Sequence, residues 1–296
     1  MSATESRAAR LRGLGRGAAP YLLSLPSWAY LTAFFVVPMA AMLSMSLATG
    51  NPITGYVFSW NFAEFGRAVS QYDTQLLRSF GYGALSTFIT LVLTYPVAYW
   101  IAFYGGRHKG TFLFLILLPF FVSFVIRTLA WQFILADQGF LFGTLKQLHI
   151  LPERFYLLSS TTAVIGGLVY NSVAYYILPL YVALEKIDRR VVRAAGDLYA
   201  SPVATFWKVI LPLSAPGIFA GFLLVFVTNV GDFVNAAVLG GPGTTMIGNI
   251  IQYNFFDAQN YPMAATLSSI LMFLLIVCIY VYARIFGAEQ IQEYAA

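Results

Sequence analysis

Residues 185–212 of this chain have the sequence EKIDRRVVRAAGDLYASPVATFWKVILP, a polar stretch between long apolar segments. Apolar residues recur at helical spacing from Ile187 to Leu198, and charged residues occupy the other faces. Ser201 and Pro202 are typical of a helix start, because serine can cap free backbone N–H groups and proline fits the first helical position. The stretch therefore predicts two short helices that form a docking surface between membrane spans.

The composition is typical of an integral membrane protein. Of the 296 residues, 59% are hydrophobic and 10% are charged, whereas an ordinary soluble domain has roughly 25% charged residues. The net charge of +5 would suggest a nucleic-acid partner for a soluble chain, but the basic residues here lie between apolar segments, so we expect no nucleic acid. The single cysteine, Cys278, excludes an internal disulfide, and the isolated His108 and His149 predict no metal site.

Six apolar segments are long enough to cross a bilayer, which takes roughly 20 residues of helix. They cover residues 21–47, 79–104, 111–136, 160–184, 214–239 and 262–286. A cleaved signal peptide is the alternative for the first segment, but the uncharged stretch at 17–63 far exceeds the roughly 7–15 residues of a signal core. The sequence therefore predicts an all-α integral membrane protein with six transmembrane helices, and the segments at 51–78 and 137–159 are expected to be loops.

Lysine and arginine are distributed unevenly between the two sides of these spans. Twelve lie on the side of the N-terminus and four on the opposite side. The positive-inside rule therefore predicts that both termini and the stretch at 185–212 are cytoplasmic. The expected order is a basic cytoplasmic tail at 1–20, a transmembrane domain at 21–287 and a short cytoplasmic tail at 288–296.

The chain has no recognisable catalytic or nucleotide-binding motif. A Gly-x-x-x-x-Gly-Lys-Ser/Thr sequence, which would cradle the phosphates of ATP, is missing, and so is any Gly-x-Ser-x-Gly or His-Glu-x-x-His sequence. We therefore expect a protein that is not an enzyme and that must obtain any ATP-derived energy from a partner.

The stretch at 185–212 also resembles a cytoplasmic loop of the permeases of ATP-binding-cassette (ABC) importers. That loop has the form Glu-Ala-Ala, three residues, Gly, nine residues, Ile-x-Leu-Pro. The present chain keeps every spacing, with RAA at 193–195 and VILP at 209–212. It departs from the pattern at Arg193, which replaces the glutamate, and at Tyr199, which replaces the glycine. A glycine there would allow a turn with positive φ, which tyrosine tolerates poorly.

The resemblance implies that this loop couples the permease to an ATPase subunit. The residues expected at the coupling surface are Arg193, Ala194, Ala195, Asp197, Leu198, Tyr199, Ala200, Ser201 and Pro202. An alternative role for the arginines is to bind the headgroups of anionic membrane lipid.

Further stretches resemble the first of the two permeases of spermidine/putrescine importers. They include LPFFVSFVIRTLAW at 118–131, YILPLYVALEKID at 176–188, GDFV at 231–234 and NYPMAA at 260–265. Permeases for iron, sulfate and other solutes share much of these motifs, so import of another small solute remains the alternative.

This second resemblance implies the type I ABC importer permease fold in the inner membrane of a bacterium, and transport by alternating access. The implied partners are a second permease, two ATPase subunits and an extracytoplasmic substrate-binding protein. ATP and Mg²⁺ would be bound by the ATPase subunits, with no cofactor in this chain.

Arg127 and Asp232 are the two ionisable residues that the sequence places well inside spans, which makes both of them functional hypotheses. They could pair with each other, or with polar neighbours, and hold an outer gate together. Alternatively, Asp232 could attract a protonated amine, with help from Asn229, Asn235 and nearby aromatic rings.

Two polar residues of the fourth predicted span, Asn171 and Tyr175, are further candidates for the substrate pathway. Packing between helices is the alternative role for both. A secondary transporter or channel is the alternative class of protein, but it is disfavoured because the chain has a single intramembrane acid for proton coupling and no inverted pair of interrupted spans.

Overall fold

The computed structural model describes residues 24–152 and 154–286. The tails expected at 1–20 and 288–296, and the first residues of the expected first span, lie outside this part of the chain. The described residues are predominantly helical and include a single two-stranded antiparallel sheet, in which β1 (Ala48–Asn51) pairs with β2 (Gly55–Phe58).

Five described helices are long and apolar enough to cross a membrane. They are α1 (Ser24–Ser46), α2 (Ala63–Tyr104), α6 (Thr161–Glu185), α8 (Pro202–Val230) and α11 (Tyr261–Phe286). Shorter helices connect them: α3 (Lys109–Leu117), α4 (Phe124–Leu135), α5 (Phe140–Gln147), α7 (Arg189–Asp197), α9 (Val234–Leu239) and α10 (Ile247–Gln252).

The third predicted span is broken, so a continuous helix over 111–136 is wrong. The segments Gly106–Phe121 and Phe124–Gln147 are both apolar but meet at an angle of 87°. Pro119 lies in a 3₁₀ turn before the break, and Val122 and Ser123 adopt extended backbone conformations. Proline removes a backbone donor and clashes with the preceding turn, which accounts for a break at this point. Counted as one span, the bent pair completes the expected six.

The second span starts earlier than predicted, and the loop expected at 51–78 is wrong in its second half. Helix α2 begins at Ala63 and continues through a non-helical residue, Tyr72, to Tyr104. Ala68 and Leu76 are buried in a cluster with Met263 of α11, so the first part of α2 is a packed helix whose charged residues conceal its apolar face.

The fifth span is displaced relative to the prediction of 214–239. Helix α8 starts at Pro202 and ends at Val230, so the short helix expected after Ser201 is continuous with the span. Residues 231–233 are not helical, and α9 begins only at Val234. Asp232 therefore lies in a break between two helices rather than inside one.

Two further segments outside the predicted spans contain helix. The second outer loop at 137–159 includes α5, and the segment after residue 244 includes α10 followed by a π-helical turn at Tyr253–Asp257. The fourth and sixth spans, in contrast, match their predicted bounds to within one residue, because each is a long apolar run with a clear polar start.

Helices α2, α6 and α8 form the core of the bundle. Tyr176 and Leu180 of α6 are fully buried there with Val225 of α8. Glycines bring α6 and α8 together, since a Cβ built on Gly221 would lie 2.6 Å from the Tyr176 ring. The polar loop at 185–212 lies at one end of this core, and the break at 231–233 lies towards the other end.

Candidate functional site

The polar loop begins where α6 ends. Asp188 caps α7 by accepting a 2.8 Å hydrogen bond from the backbone N–H of Arg190. Ile187 and Val192 face the core, whereas Val191 and Leu198 are exposed. The predicted apolar face is therefore only partly correct, because α7 packs through a different set of residues and leaves apolar side chains on its outer surface. That predicted face comprised Ile187, Val191, Ala195 and Leu198.

The turn after α7 keeps the geometry that glycine would give, although the residue is Tyr199. Its φ is +60°. The N–H of Tyr199 bonds to the Gly196 carbonyl at 2.9 Å, and the N–H of Ala200 bonds to the Ala195 carbonyl at 3.0 Å. This pair of bonds is the Schellman motif, which places its fifth residue in the left-handed region. The Tyr199 side chain is 97% exposed, so no packing within the described chain offsets the conformational cost.

The start of α8 follows directly. Ser201 accepts a 3.2 Å hydrogen bond from the N–H of Ala204, and Pro202 occupies the first helical position, as the sequence predicts. The nine residues expected at the coupling surface lie together on this loop. Ala195 and Ala200 are half-buried, and the other seven are exposed: Arg193, Ala194, Asp197, Leu198, Tyr199, Ser201 and Pro202.

Two polar contacts tie the loop to the ends of neighbouring helices. Arg189 donates a 3.1 Å hydrogen bond to the carbonyl of Ala102 in α2. Lys109, at the start of α3, forms an ion pair with Glu185 at 2.7 Å. Arg189 therefore joins α7 directly to α2, and Glu185 joins the end of α6 to α3.

Near the other end of the bundle, Asp232 caps α9. Its Oδ1 accepts from the backbone N–H of Asn235 at 2.8 Å, and its Oδ2 accepts from the Asn235 side-chain amide at 3.2 Å. The break at 231–233 is held from a second direction, because the amide of Asn249 in α10 donates to the carbonyl of Phe233 at 2.7 Å. Asp232 is half-buried, whereas Asn235 is fully buried.

A row of amides extends inward from this carboxylate. Because the Asn235 amide nitrogen faces Asp232, its oxygen must accept, and it does so from Asn171 at 3.1 Å. Asn171 also donates to the hydroxyl of Thr128 in α4 at 3.2 Å. The side-chain oxygen of Asn171 has no partner in the described structure. The carboxylate thus fixes the orientation of both amides across three helices.

Asn229 belongs to a second network beside the first. Its oxygen accepts from Ser172 at 2.8 Å, and its amide donates to Ser86 of α2 at 2.9 Å. The two networks are joined through the backbone, since the N–H of Asp232 bonds to the Asn229 carbonyl at 3.3 Å. Asn229 thereby locks α2, α6 and α8 together immediately before the break.

Arg127 does not pair with Asp232. No ion pair joins these two side chains within residues 24–152 and 154–286, so the polar neighbour of Asp232 is Asn235 instead. Arg127 is buried, with 7% of its surface exposed, and lies 4.1 Å from the centre of the Phe120 ring. Its Nε and Nη1 atoms have no hydrogen-bond partner in the described chain. Tyr175 contacts the same Phe120 ring, 6.1 Å away, rather than the amide row.

The structure adds Ser86, Thr128 and Ser172 to the residues expected at this site. The sequence holds a signal for Ser86, because Ser86, Thr90 and Thr94 recur at helical spacing in an apolar span. All three are buried in the structure. No group of three or more histidine, cysteine or acidic side chains within the described residues could hold a metal ion.

Comparisons with known proteins agree with this architecture. The chain is 33% identical, over 258 residues, to the spermidine/putrescine transport system permease protein PotB of Haemophilus influenzae, covering 87% of this chain and 90% of that protein. It is 30% identical to PotB of Escherichia coli K12, covering 89% and 95%. Among solved structures, a bacterial ABC transporter involved in the import of alginate matches with a TM-score of 0.72 at 17% identity, covering 94% of this chain and 98% of that one.

The structural match confirms the all-α type I permease fold. Residues 78–289 match the family described as binding-protein-dependent transport system inner membrane component. The matched part of the chain contains the polar loop, the amide row and the break at Asp232. The members of this family are transport components of a membrane rather than enzymes. The chain therefore belongs to the family of binding-protein-dependent transport system inner membrane components.

Proposed function

We propose that this chain is the permease subunit of an ATP-driven importer of polyamines such as spermidine and putrescine. The observation that carries the proposal is its similarity, over 87% of its length, to a spermidine/putrescine permease protein. The site agrees with a cationic solute, because Asp232 is a half-buried carboxylate held in place by two hydrogen bonds from Asn235.

Asp232 is the group we assign to the transported amine. A protonated amine presents several N–H donors and no acceptor, and an ionised carboxylate accepts such bonds strongly. Asn235 supplies only donors to Asp232, so it orients the carboxylate and leaves its remaining lone pairs for a solute. The unpaired oxygen of Asn171 is a second acceptor in the same row. Asn229 positions the break, and Arg127 and Tyr175 belong to the gate beside it.

The loop at 185–212 is the part we assign to ATP coupling. Arg193, Ala194, Asp197, Leu198 and Tyr199 form an exposed surface suited to an ATPase subunit, and the contacts of Arg189 and Lys109 offer a route for its movement into the bundle. In this proposal two ATPase subunits bind ATP and Mg²⁺, a second permease completes the pathway, and an extracytoplasmic binding protein delivers the solute. The loop and both termini would then be cytoplasmic.

Import of an anionic solute, such as sulfate, is the second candidate. It is favoured by Arg127, whose buried guanidinium has two nitrogens without a partner in the described chain. A buried cation without a counter-ion is destabilising, and a transported anion could serve as the counter-ion of Arg127.

Uptake into proteoliposomes tests the two candidates against each other. The complete complex, with its own ATPase and binding protein, would be reconstituted into proteoliposomes that contain ATP or ADP. Labelled spermidine or labelled sulfate would then be added outside. We expect spermidine uptake with ATP alone, and competition by unlabelled putrescine. Uptake of sulfate without uptake of spermidine would replace the first candidate with the second.

A further inference from the structure

The segment between α1 and α2 forms a small uncharged structure of its own. Strands β1 and β2 are joined by a turn, and residues 59–62 return the chain to α2. The whole stretch at 48–62, ATGNPITGYVFSWNF, contains no charged residue. It lies at the end of α2 opposite to the coupling loop, since Arg189 contacts the far end of α2 at Ala102.

Hydrogen bonds fix the depth of this segment relative to the membrane spans. The backbone N–H groups of Ser59 and Asn61 both bond to the carbonyl of Leu47, each at 3.2 Å. Leu47 is the residue that follows α1, so Trp60 is held at the level where that span ends. The hydroxyl of Tyr56 reaches the carbonyl of Gln259 at 3.3 Å, next to the start of α11.

Three aromatic side chains form a row at this level. The ring of Trp60 lies 4.8 Å from that of Phe58 and 6.1 Å from that of Phe62, measured between ring centres. All three remain exposed, Phe58 at 48%, Trp60 at 63% and Phe62 at 64%. Trp60 has a φ of +52°, which is costly for a residue other than glycine. The paired bonds to Leu47 hold it in this conformation.

We propose that this aromatic row lies in the boundary between lipid headgroups and acyl chains, and anchors the outer end of the permease laterally in the bilayer. Trp is favoured at this depth because its ring has a polar N–H at one edge, and Phe58 and Phe62 extend the apolar surface on both sides of Trp60. The end of α1 marks the boundary of the hydrocarbon, and Trp60 is bonded to that end. Because residues 48–62 carry no charge, the anchor should not distinguish anionic from zwitterionic headgroups, unlike a basic cluster.

Two proteins could cover the row instead. The binding protein could dock on it from the aqueous side, or the second permease could pack over it within the membrane. Lipid, the binding protein and the second permease would each allow different fluorescence quenchers to reach the Trp60 ring. This difference gives the test. The inference does not depend on which solute is transported.

The experiment is depth-dependent quenching of Trp60 fluorescence in the assembled complex. The complex would be placed in phosphatidylcholine nanodiscs that carry a nitroxide on the headgroup, on acyl carbon 5 or on acyl carbon 12. The Trp60 signal is the difference between the parent protein and Trp60→Phe, which keeps an aromatic ring in the row. The same difference for Trp131→Phe is the control, because Trp131 packs on Tyr170 inside the bundle with ring centres 5.3 Å apart.

We expect the headgroup and carbon-5 nitroxides to quench Trp60 about twofold more than the carbon-12 nitroxide, as for a residue of an interfacial aromatic belt. Adding phosphatidylglycerol or the binding protein should leave this pattern unchanged. Strong quenching by aqueous iodide that the binding protein abolishes would overturn the inference in favour of a docking surface. Protection from every quencher would also overturn it, and would assign the row to the second permease.

Discussion

Asn235 donates two hydrogen bonds to Asp232, one from its backbone N–H at 2.8 Å and one from its side-chain amide at 3.2 Å. The pair closes the first turn of α9 immediately after the chain leaves α8. It also sets the direction of the amide row, because Asn235 can then only accept from Asn171. A single carboxylate thus organises the break and leaves acceptor capacity for a solute.

Replacement of Asp232 by asparagine tests its assignment to the amine. The amide oxygen can still accept the Asn235 backbone N–H, so we expect the complex to assemble. A hydrogen bond to a charged group contributes about 1.5–3 kcal/mol, so spermidine uptake at limiting concentration should fall roughly tenfold or more. Initial rates of uptake in proteoliposomes measure the effect.

The matched control is Asp257→Asn, which removes an exposed carboxylate from the same chain. Its uptake should equal that of the parent. If Asp232→Asn also transports spermidine at the parental rate, the carboxylate does not contact the amine.

Asn171→Leu tests the amide row. The change removes the donors to Asn235 and Thr128 and leaves the Asn235 oxygen buried without a partner. Each hydrogen bond between helices of a folded membrane protein contributes about 0.6 kcal/mol on average, so we expect the loss of two bonds to lower the free energy of unfolding by about 1 kcal/mol. Thermal unfolding in detergent would show a lower midpoint.

Tyr175→Phe serves as the comparison for Asn171→Leu. Tyr175 is 46% exposed and contacts Phe120 through its ring, which the substitution keeps. Its midpoint should be unchanged. Equal midpoints for Asn171→Leu and the parent would mean that the row does not stabilise the bundle.

The sequence predicts the local structure of the loop at 185–212 better than the break at Asp232. The reason is that the sequence signals in the loop act on adjacent residues. Ser201 and Pro202 act on the next turn of backbone, so a cap and a helix start are visible from adjacent residues. The break at Asp232 is different, because the apolar residues of α9 continue the hydropathy of α8 and Gly231 alone marks the interruption. The partner of Asp232 is likewise a neutral residue three positions away, whereas charge alone favours Arg127.

The missed start of α2 has a related cause. Glu64 and Arg67 make the segment look like a loop, although they pair with each other at 3.2 Å within the first turns of the helix, where only the Arg67 side chain is well exposed. The buried Ala68 and Leu76 face α11, and this tertiary contact cannot be identified from local spacing.

Tyr199→Gly should stabilise the chain. A left-handed conformation costs a residue with a Cβ about 1–2 kcal/mol, and Tyr199 makes no packing contact that would be lost. We expect the free energy of unfolding to rise by about 1 kcal/mol, offset in part by the greater freedom of glycine when unfolded. Denaturant unfolding of the isolated permease in detergent measures it.

The neighbouring Leu198→Gly is the control, because Leu198 has a φ of −88° and is 81% exposed. Glycine relieves no strain there and should lower stability by about 0.5–1 kcal/mol. Destabilisation by both substitutions would contradict the strain assigned to Tyr199.

Gly217→Ala tests the close approach of α6 and α8. The added Cβ would lie 2.4 Å from the Ala183 Cβ and 2.7 Å from the Pro179 carbonyl oxygen. Overpacking of this kind costs about 1–3 kcal/mol, so the midpoint of thermal unfolding should fall. Gly166→Ala in α6 meets nothing within 4 Å and should be neutral or stabilising. Equal effects of the two substitutions would indicate that the helices are further apart than described.

The most direct test of the central claim is the ATPase activity of the purified complex in lipid, with a panel of solutes presented by its binding protein. We predict stimulation by spermidine or putrescine and none by sulfate. We also predict that Ala194→Arg, on the exposed face of α7, abolishes the stimulation while the permease remains folded. Failure of any ATPase subunit to associate with the parent permease would contradict the assignment of residues 185–212 to coupling, and with it the proposed function.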